Sequence, residues 1–119
     1  MRDFKRIKAW LRAHALSVGV HASCRKFGRA GHAHLRDQLT RAVDSIASNI
    51  AEGCGAASNK DFARFLDNSI KSANEAEHHF LCARDFKLFS HEKWQRYNDE
   101  VIEIRKMTIG YRKRVLSDG

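Results

Sequence analysis

A chain of 119 residues without a single proline is constrained before any other feature is read. Proline breaks helices and populates loops, so its complete absence favours long, uninterrupted helices joined by short links. Apolar periodicity divides the chain accordingly. A first helix spans about residues 3–26, where Ile7, Leu11, His14, Val18 and His21 recur at three- and four-residue spacing with Trp10 beside them. Gly28 and Gly31 punctuate the chain after it. A second helix covers about 33–52 with the stripe Leu35, Leu39, Ala42, Val43, Ile46 and Ile50, and Gly53 stands where a left-handed C-cap would.

The third helix, about 59–86, starts with Ser58 as N-cap and Asp61 reaching back as in a capping box. Its seam is Phe62, Leu66, Ser69, Ala73, Ala76, Phe80 and Ala83, with small residues that allow close approach of a neighbour. The fourth, about 91–116, follows Ser90 as N-cap and carries Trp94, Tyr97, Val101, Ile104, Thr108, Tyr111 and Val115. A second stripe, Ile102, Ile109 and Leu116, repeats every seven residues, so this helix needs two partners, one of them outside the monomer. No segment alternates with period two. The expected fold is all-α, a single-domain antiparallel up-down four-helix bundle.

Charge is distributed unevenly. Residues 1–41 hold ten Lys/Arg and two acids, residues 42–103 seven and eleven, and residues 104–119 five and one, which gives basic ends around an acidic middle. Such asymmetry points to a polyanion partner. In an up-down bundle the two chain ends and the helix 2–3 loop share one end of the molecule. That end would gather Arg2, Lys5, Arg6, Lys8 and Arg12 with Arg112, Lys113 and Arg114. A second basic zone, with Arg25, Lys26, Arg29 and Lys93 beside His32, His34 and His91, would lie at the other end. No helix-turn-helix, zinc finger, RNP motif or P-loop is present, so the expected contact is to phosphates rather than base edges; the expected nucleic acid is RNA more than DNA. The rival reading is a protein adaptor whose basic ends meet an acidic surface.

On a helical wheel Gln38, Arg41, Ser45, Asn49 and Glu52 fall beside the apolar face of the second helix. Half-buried polar groups must be paired, so this stripe predicts structural partners in another helix or subunit. Glu75 and Glu77 point about 200° apart on one helix and cannot serve one active site together. With Glu52 they read as packing or assembly residues, and no enzymatic activity is expected. Glu75 and His78 have the Glu-x-x-His spacing of di-iron bundles without a second such motif. His14, His21 and Cys24 share a face of the first helix, yet histidines on a semi-apolar face are more often packing residues, and His32, His34, His78, His79 and His91 read as surface or loop residues. No metal and no cofactor are expected. The three scattered cysteines fit a reducing cytoplasm rather than a disulfide framework. No apolar run approaches the ~18 residues of a membrane span.

The stretch LRDQLTRAVDSIASNIAEGCGAASNKDFARFL, residues 35–66, resembles the signature of the four-helix proteins encoded in intervening sequences of bacterial large-subunit rRNA genes. The matching positions include Leu35, Gln38, Arg41, Ser45, Asn49, Glu52, Gly53, Gly55, Ser58 and Phe62, and continue through Ser72, Glu75, Glu77 and Ala83. FKRIKAW near the start is similar to the family's opening. The resemblance implies a four-helix bundle assembled as a homopentamer, without established enzymatic activity. It also implies kinship with the accessory variability determinant of diversity-generating retroelements, a basic pentamer that binds nucleic acid and its reverse transcriptase. Five copies would carry about +40 and bind by avidity. Family members often have a hydrophobic residue at Asp44, proline at Ala47, arginine at Ala56 and glycine at Lys71. Of these departures, the lost base at Ala56 bears on phosphate contact by the helix 2–3 loop.

Overall fold

The computed structural model describes residues 2–118. A 3-10 turn, Phe4–Arg6, precedes four helices: α1 (Lys8–Ser23), α2 (Ala33–Gly53), α3 (Asn59–Asp85) and α4 (His91–Ser117). No strand occurs among the described residues. The helices form a ring in which α1 and α3 each pack against α2 and α4. The particle measures 48 × 20 × 20 Å, its long axis somewhat exceeding the roughly 40 Å of a 27-residue helix.

The first helix is shorter than the 3–26 expected. The Asp3 carboxylate accepts the Lys5 N–H at 3.1 Å and starts the 3-10 turn. Ile7 is extended (φ −86°, ψ 119°), which separates that turn from α1. The bend lays Phe4 edge-on to Trp10, ring centroids 4.8 Å apart. At its other end α1 stops at Ser23, and residues 24–31 form turns anchored by the buried Phe27. Gly31 (φ 83°) supplies the left-handed residue that redirects the chain into α2.

The buried face of α1 also differs from the stripe read off the sequence. Ala9, Ala13, Leu16 and Val20 face the core, whereas Leu11 (49% exposed) and Val18 (60% exposed) face outward, as do His14 and His21. Two apolar stripes compete on this helix, and the smaller side chains win because alanine lets α1 settle close to its neighbours. On α2 and α3 every expected seam residue is buried. Phe62, Phe80, Leu39, Ile46, Ile50 and Leu66 are among the largest fully buried side chains, each worth about 1.5–3 kcal/mol of burial. On α4, Val101, Ile104, Thr108 and Val115 are buried, while Ile109 and Leu116 of the second stripe remain exposed.

The helix ends follow local chemistry. Ser58 Oγ accepts the Asp61 N–H at 3.0 Å, and Ser90 Oγ accepts the Lys93 N–H at 3.1 Å. The capping box is only half made, because the Asp61 carboxylate accepts from Arg64 instead. α3 ends in a Schellman motif: Leu88 N–H donates to Ala83 O (2.8 Å) and Lys87 N–H to Arg84 O (3.0 Å), with Lys87 at φ 62°.

Gly53 is not the left-handed cap that its position after the apolar stripe suggests. It is the last residue of α2, buried, and Cys54 caps the helix in a right-handed conformation. A Cβ at Gly53 would lie 2.6 Å from Phe62 Cδ1 and 2.8 Å from Phe65 Cβ. Glycine is required there for close approach of α3, not for its φ.

Polar ties close the ring. Between α2 and α3, Ser69 Oγ donates to Ile46 O at 2.9 Å and Ser72 Oγ to Ser45 Oγ at 2.9 Å. Asp67 and Glu77 of α3 pair with Arg112 and Arg105 of α4. Tyr97 of α4 donates to Gly19 O of α1 at 3.1 Å. Ser17 and His21 of α1 both reach Asp44 of α2.

Candidate polyanion-binding groove

The fold brings the two basic chain ends together. A groove of about 720 Å³ lies between the N-terminal turn and the last turns of α4. Arg2, Arg6, Lys8, Lys106 and Arg114 line its walls. Ile7, Ala9, Met107 and Tyr111 supply apolar surface between the charges. One acid, Asp3, lies among them; the Lys5 backbone N–H holds its carboxyl below the usual range.

Local structure explains the placement. The bend at Ile7 turns the N-terminal segment back across the molecule, where Arg2 N–H donates to Cys54 O at 3.3 Å and its guanidinium to Asn59 Oδ1 at 2.9 Å. The Arg2 guanidinium also lies over the Phe62 ring at 4.8 Å. On the opposite wall the Arg114 guanidinium lies 5.5 Å from the Tyr111 ring centre, and burial pushes the Tyr111 phenol above its ordinary pKa. Gly110 lies between Lys106 and Arg114 at four-residue spacing and contributes no side chain to fill the space. Lys106 was not singled out from the sequence, although its spacing to Gly110 and Arg114 places the three on one face.

The other expected phosphate ligands divide into three groups. Lys5 and Lys113 are exposed near the groove without lining it, and Lys5 also pairs with Asp3 at 3.3 Å. Arg12 and Arg112 are already committed to acids of the same chain. Arg12 Nε donates to Glu100 at 2.9 Å, and that bonding raises the Arg12 pKa. Arg112 Nε sits 2.6 Å from Asp67 Oδ1 as an ion-pair contact, while its Nη2 makes the longer hydrogen bond at 3.4 Å. Neither offers a free charge to a ligand. At the far end Arg25 shares a shallow depression with His21 and Arg36, and Lys26 and Arg29 are exposed in the turns before α2.

The polar stripe of α2 is half internal. Asn49 Nδ2 donates to Ser45 O (2.8 Å) and Ser45 Oγ (2.9 Å), and Ser72 completes the link to α3. Glu77 pairs with Arg105 at 2.5 Å, and Glu75 stands 3.9 Å from His79. Arg41 and Glu52 are exposed and Gln38 is half-buried. Cys24 is wholly buried and away from the exposed His14 and His21, so these three do not form one ligand set. His79 is not the surface residue expected: it is buried in α3, and that burial lowers its pKa.

Residues 5–110 match the family of 23S rRNA-intervening sequence proteins, and the chain belongs to that family. Among solved structures it is similar to a protein of unknown function from the S23 ribosomal protein family of Bacteroides thetaiotaomicron. That likeness has a TM-score of 0.82 at 24% identity, and covers 88% of this chain and 98% of the other; it concerns the fold alone. Comparison with curated proteins gave no match. No helix among the described residues is long and apolar enough to cross a membrane.

Proposed function

We propose that this chain is a non-enzymatic scaffold that binds RNA, or an RNA/DNA hybrid, through its basic groove. The observation that carries the reading is the groove itself: five Lys/Arg side chains from the two ends of the sequence converge on it. None of the five is in an ion pair with an acid of the described chain. Walls of guanidinium and ammonium suit phosphates, and the Ile7, Met107 and Tyr111 surface suits the face of a sugar or base without reading its edges. In the same reading the molecule works in the cytoplasm as accessory to a nucleic-acid enzyme. A reverse transcriptase of a diversity-generating retroelement is the partner suggested by the sequence resemblance.

The reading includes an antiparallel up-down arrangement and assembly into a homopentamer. The pairings Asp67–Arg112 and Glu77–Arg105 support opposite directions for α3 and α4. The outward Leu11 and Val18 of α1 and Ile109 and Leu116 of α4 supply apolar surface for neighbouring copies.

The test is fluorescence anisotropy of a labelled structured RNA across a salt series. Wild type should bind with a steep log–log salt slope, losing about 0.7–0.9 of slope for each phosphate contact removed. The combined change Arg6→Glu, Lys106→Glu and Arg114→Glu should abolish binding while the helical circular dichroism is kept. Undiminished binding by that variant removes the groove from the mechanism. No binding by wild type at low salt replaces this reading with the protein adaptor. Light scattering on a sizing column checks the five-copy assembly.

A further inference from the structure

We propose that His78, His79 and Cys82 of α3 form a binding site for a thiophilic divalent transition metal, with Zn²⁺ the natural occupant. Their donor atoms all lie within 4.8 Å of one another, the only such group of three metal-type ligands found among the described residues. His78 and Cys82 are one helical turn apart, the spacing that puts two donors on the same edge of a helix. Cys82 Sγ lies 3.7 Å from His78 Nε2. A tetrahedral zinc with ordinary Zn–S and Zn–N bonds separates sulfur and nitrogen by about 3.6 Å, so the metal fits between them with little movement.

The surroundings favour a metal over a simple hydrogen bond. His79 is buried, so packing of α3 against its neighbours holds its ring beside the other two donors. The Glu75 carboxylate stands 3.9 Å from His79 Nε2. It can orient that ring from outside the coordination sphere or take the fourth position itself. One thiolate with imidazoles selects zinc, cobalt or copper over magnesium and calcium. Binding would release the Cys82 thiol proton to solvent as the sulfur–metal bond forms. The site lies some twenty residues along α3 from Asn59, about 30 Å from the groove end of the helix, so it stands or falls independently of RNA binding.

The experiment is titration of the purified, chelator-treated protein with Co²⁺, followed by displacement with Zn²⁺. One equivalent should give tetrahedral d–d absorption together with a thiolate-to-cobalt charge-transfer band, and one equivalent of Zn²⁺ should bleach both. Cys82→Ser should remove the charge-transfer band. His78→Ala, at an exposed position, should weaken binding by more than the roughly 10–100-fold loss seen when a group outside the coordination sphere is removed. His14→Ala, on another helix, should leave the spectrum unchanged. Absence of a one-equivalent complex overturns the proposal. So do wild-type spectra and affinity in both the Cys82 and His78 variants, which would place the metal on other histidines.

Discussion

Gly53→Ala is the substitution that bears most directly on how α2 and α3 meet. The added Cβ would lie 2.6 Å and 2.8 Å from Phe62 ring carbons and 2.8 Å from Phe65 Cβ. Carbon atoms rest at about 3.5–4.0 Å, so the helices must separate locally by nearly 1 Å or Phe62 must leave its rotamer. Neither adjustment is cheap. Phe62 is fully buried, and the Phe65 Cβ is fixed to the α3 backbone and cannot rotate away. Overpacking of this kind costs about 1–3 kcal/mol. Alanine recovers at most about 1 kcal/mol in helix propensity, and less at a terminal position. The net expectation is a loss of about 1–2 kcal/mol, lowering Tm by several degrees, measured by urea and thermal unfolding followed at 222 nm. Gly53→Asn separates the two explanations of this glycine. Asparagine is tolerated at a left-handed cap but is larger than alanine at a tight contact. It should therefore be more destabilising than alanine. A Gly53→Ala protein as stable as wild type, or an asparagine variant better than alanine, would refute the close-approach account.

Three further expectations follow from other contacts. Lys87→Gly should stabilise the protein by about 0.5–1 kcal/mol in urea unfolding, because lysine holds the left-handed position of the Schellman motif that glycine occupies without a Cβ penalty. Arg105→Ala should cost about 1–2 kcal/mol by the same measurement, since it strands the half-buried Glu77 and also removes the bond to Asn74. Among the thiols, Cys82 should react first with iodoacetamide at pH 8 in native protein, as read by mass spectrometry. Cys24 is fully buried, and burial pushes its thiol up to about 12, so it is protonated as well as shielded at that pH and should react only on unfolding.

Much of the fold was legible in the sequence because the signals were local. Period and capping residues located α2, α3 and α4 within a residue or two, since a three- and four-residue stripe is the direct consequence of 3.6 residues per turn. Ser58 and Ser90 cap where their position before each stripe requires. The basic groove was half legible: charge at the two chain ends indicated which residues could meet, and Arg2, Arg6, Lys8 and Arg114 do. Charge alone could not show that Glu100 and Asp67 neutralise Arg12 and Arg112, because those acids are 88 and 45 residues away along the chain.

What the sequence by itself determined is therefore the helical content, the helix ends and the uneven charge, all set by residues within a turn or two of one another. Tertiary structure decided the rest. On α1 two apolar stripes were available, and only packing against α2 and α4 selected the alanine-rich one and turned Leu11 and Val18 outward. Gly53 owes its role to two phenylalanines on the next helix, not to its own backbone angles. His79 became a buried neighbour of Cys82 rather than a surface residue, because the rotation of α3 about its axis is fixed by core packing along its whole length. These are choices among faces, and a face is chosen by what covers it.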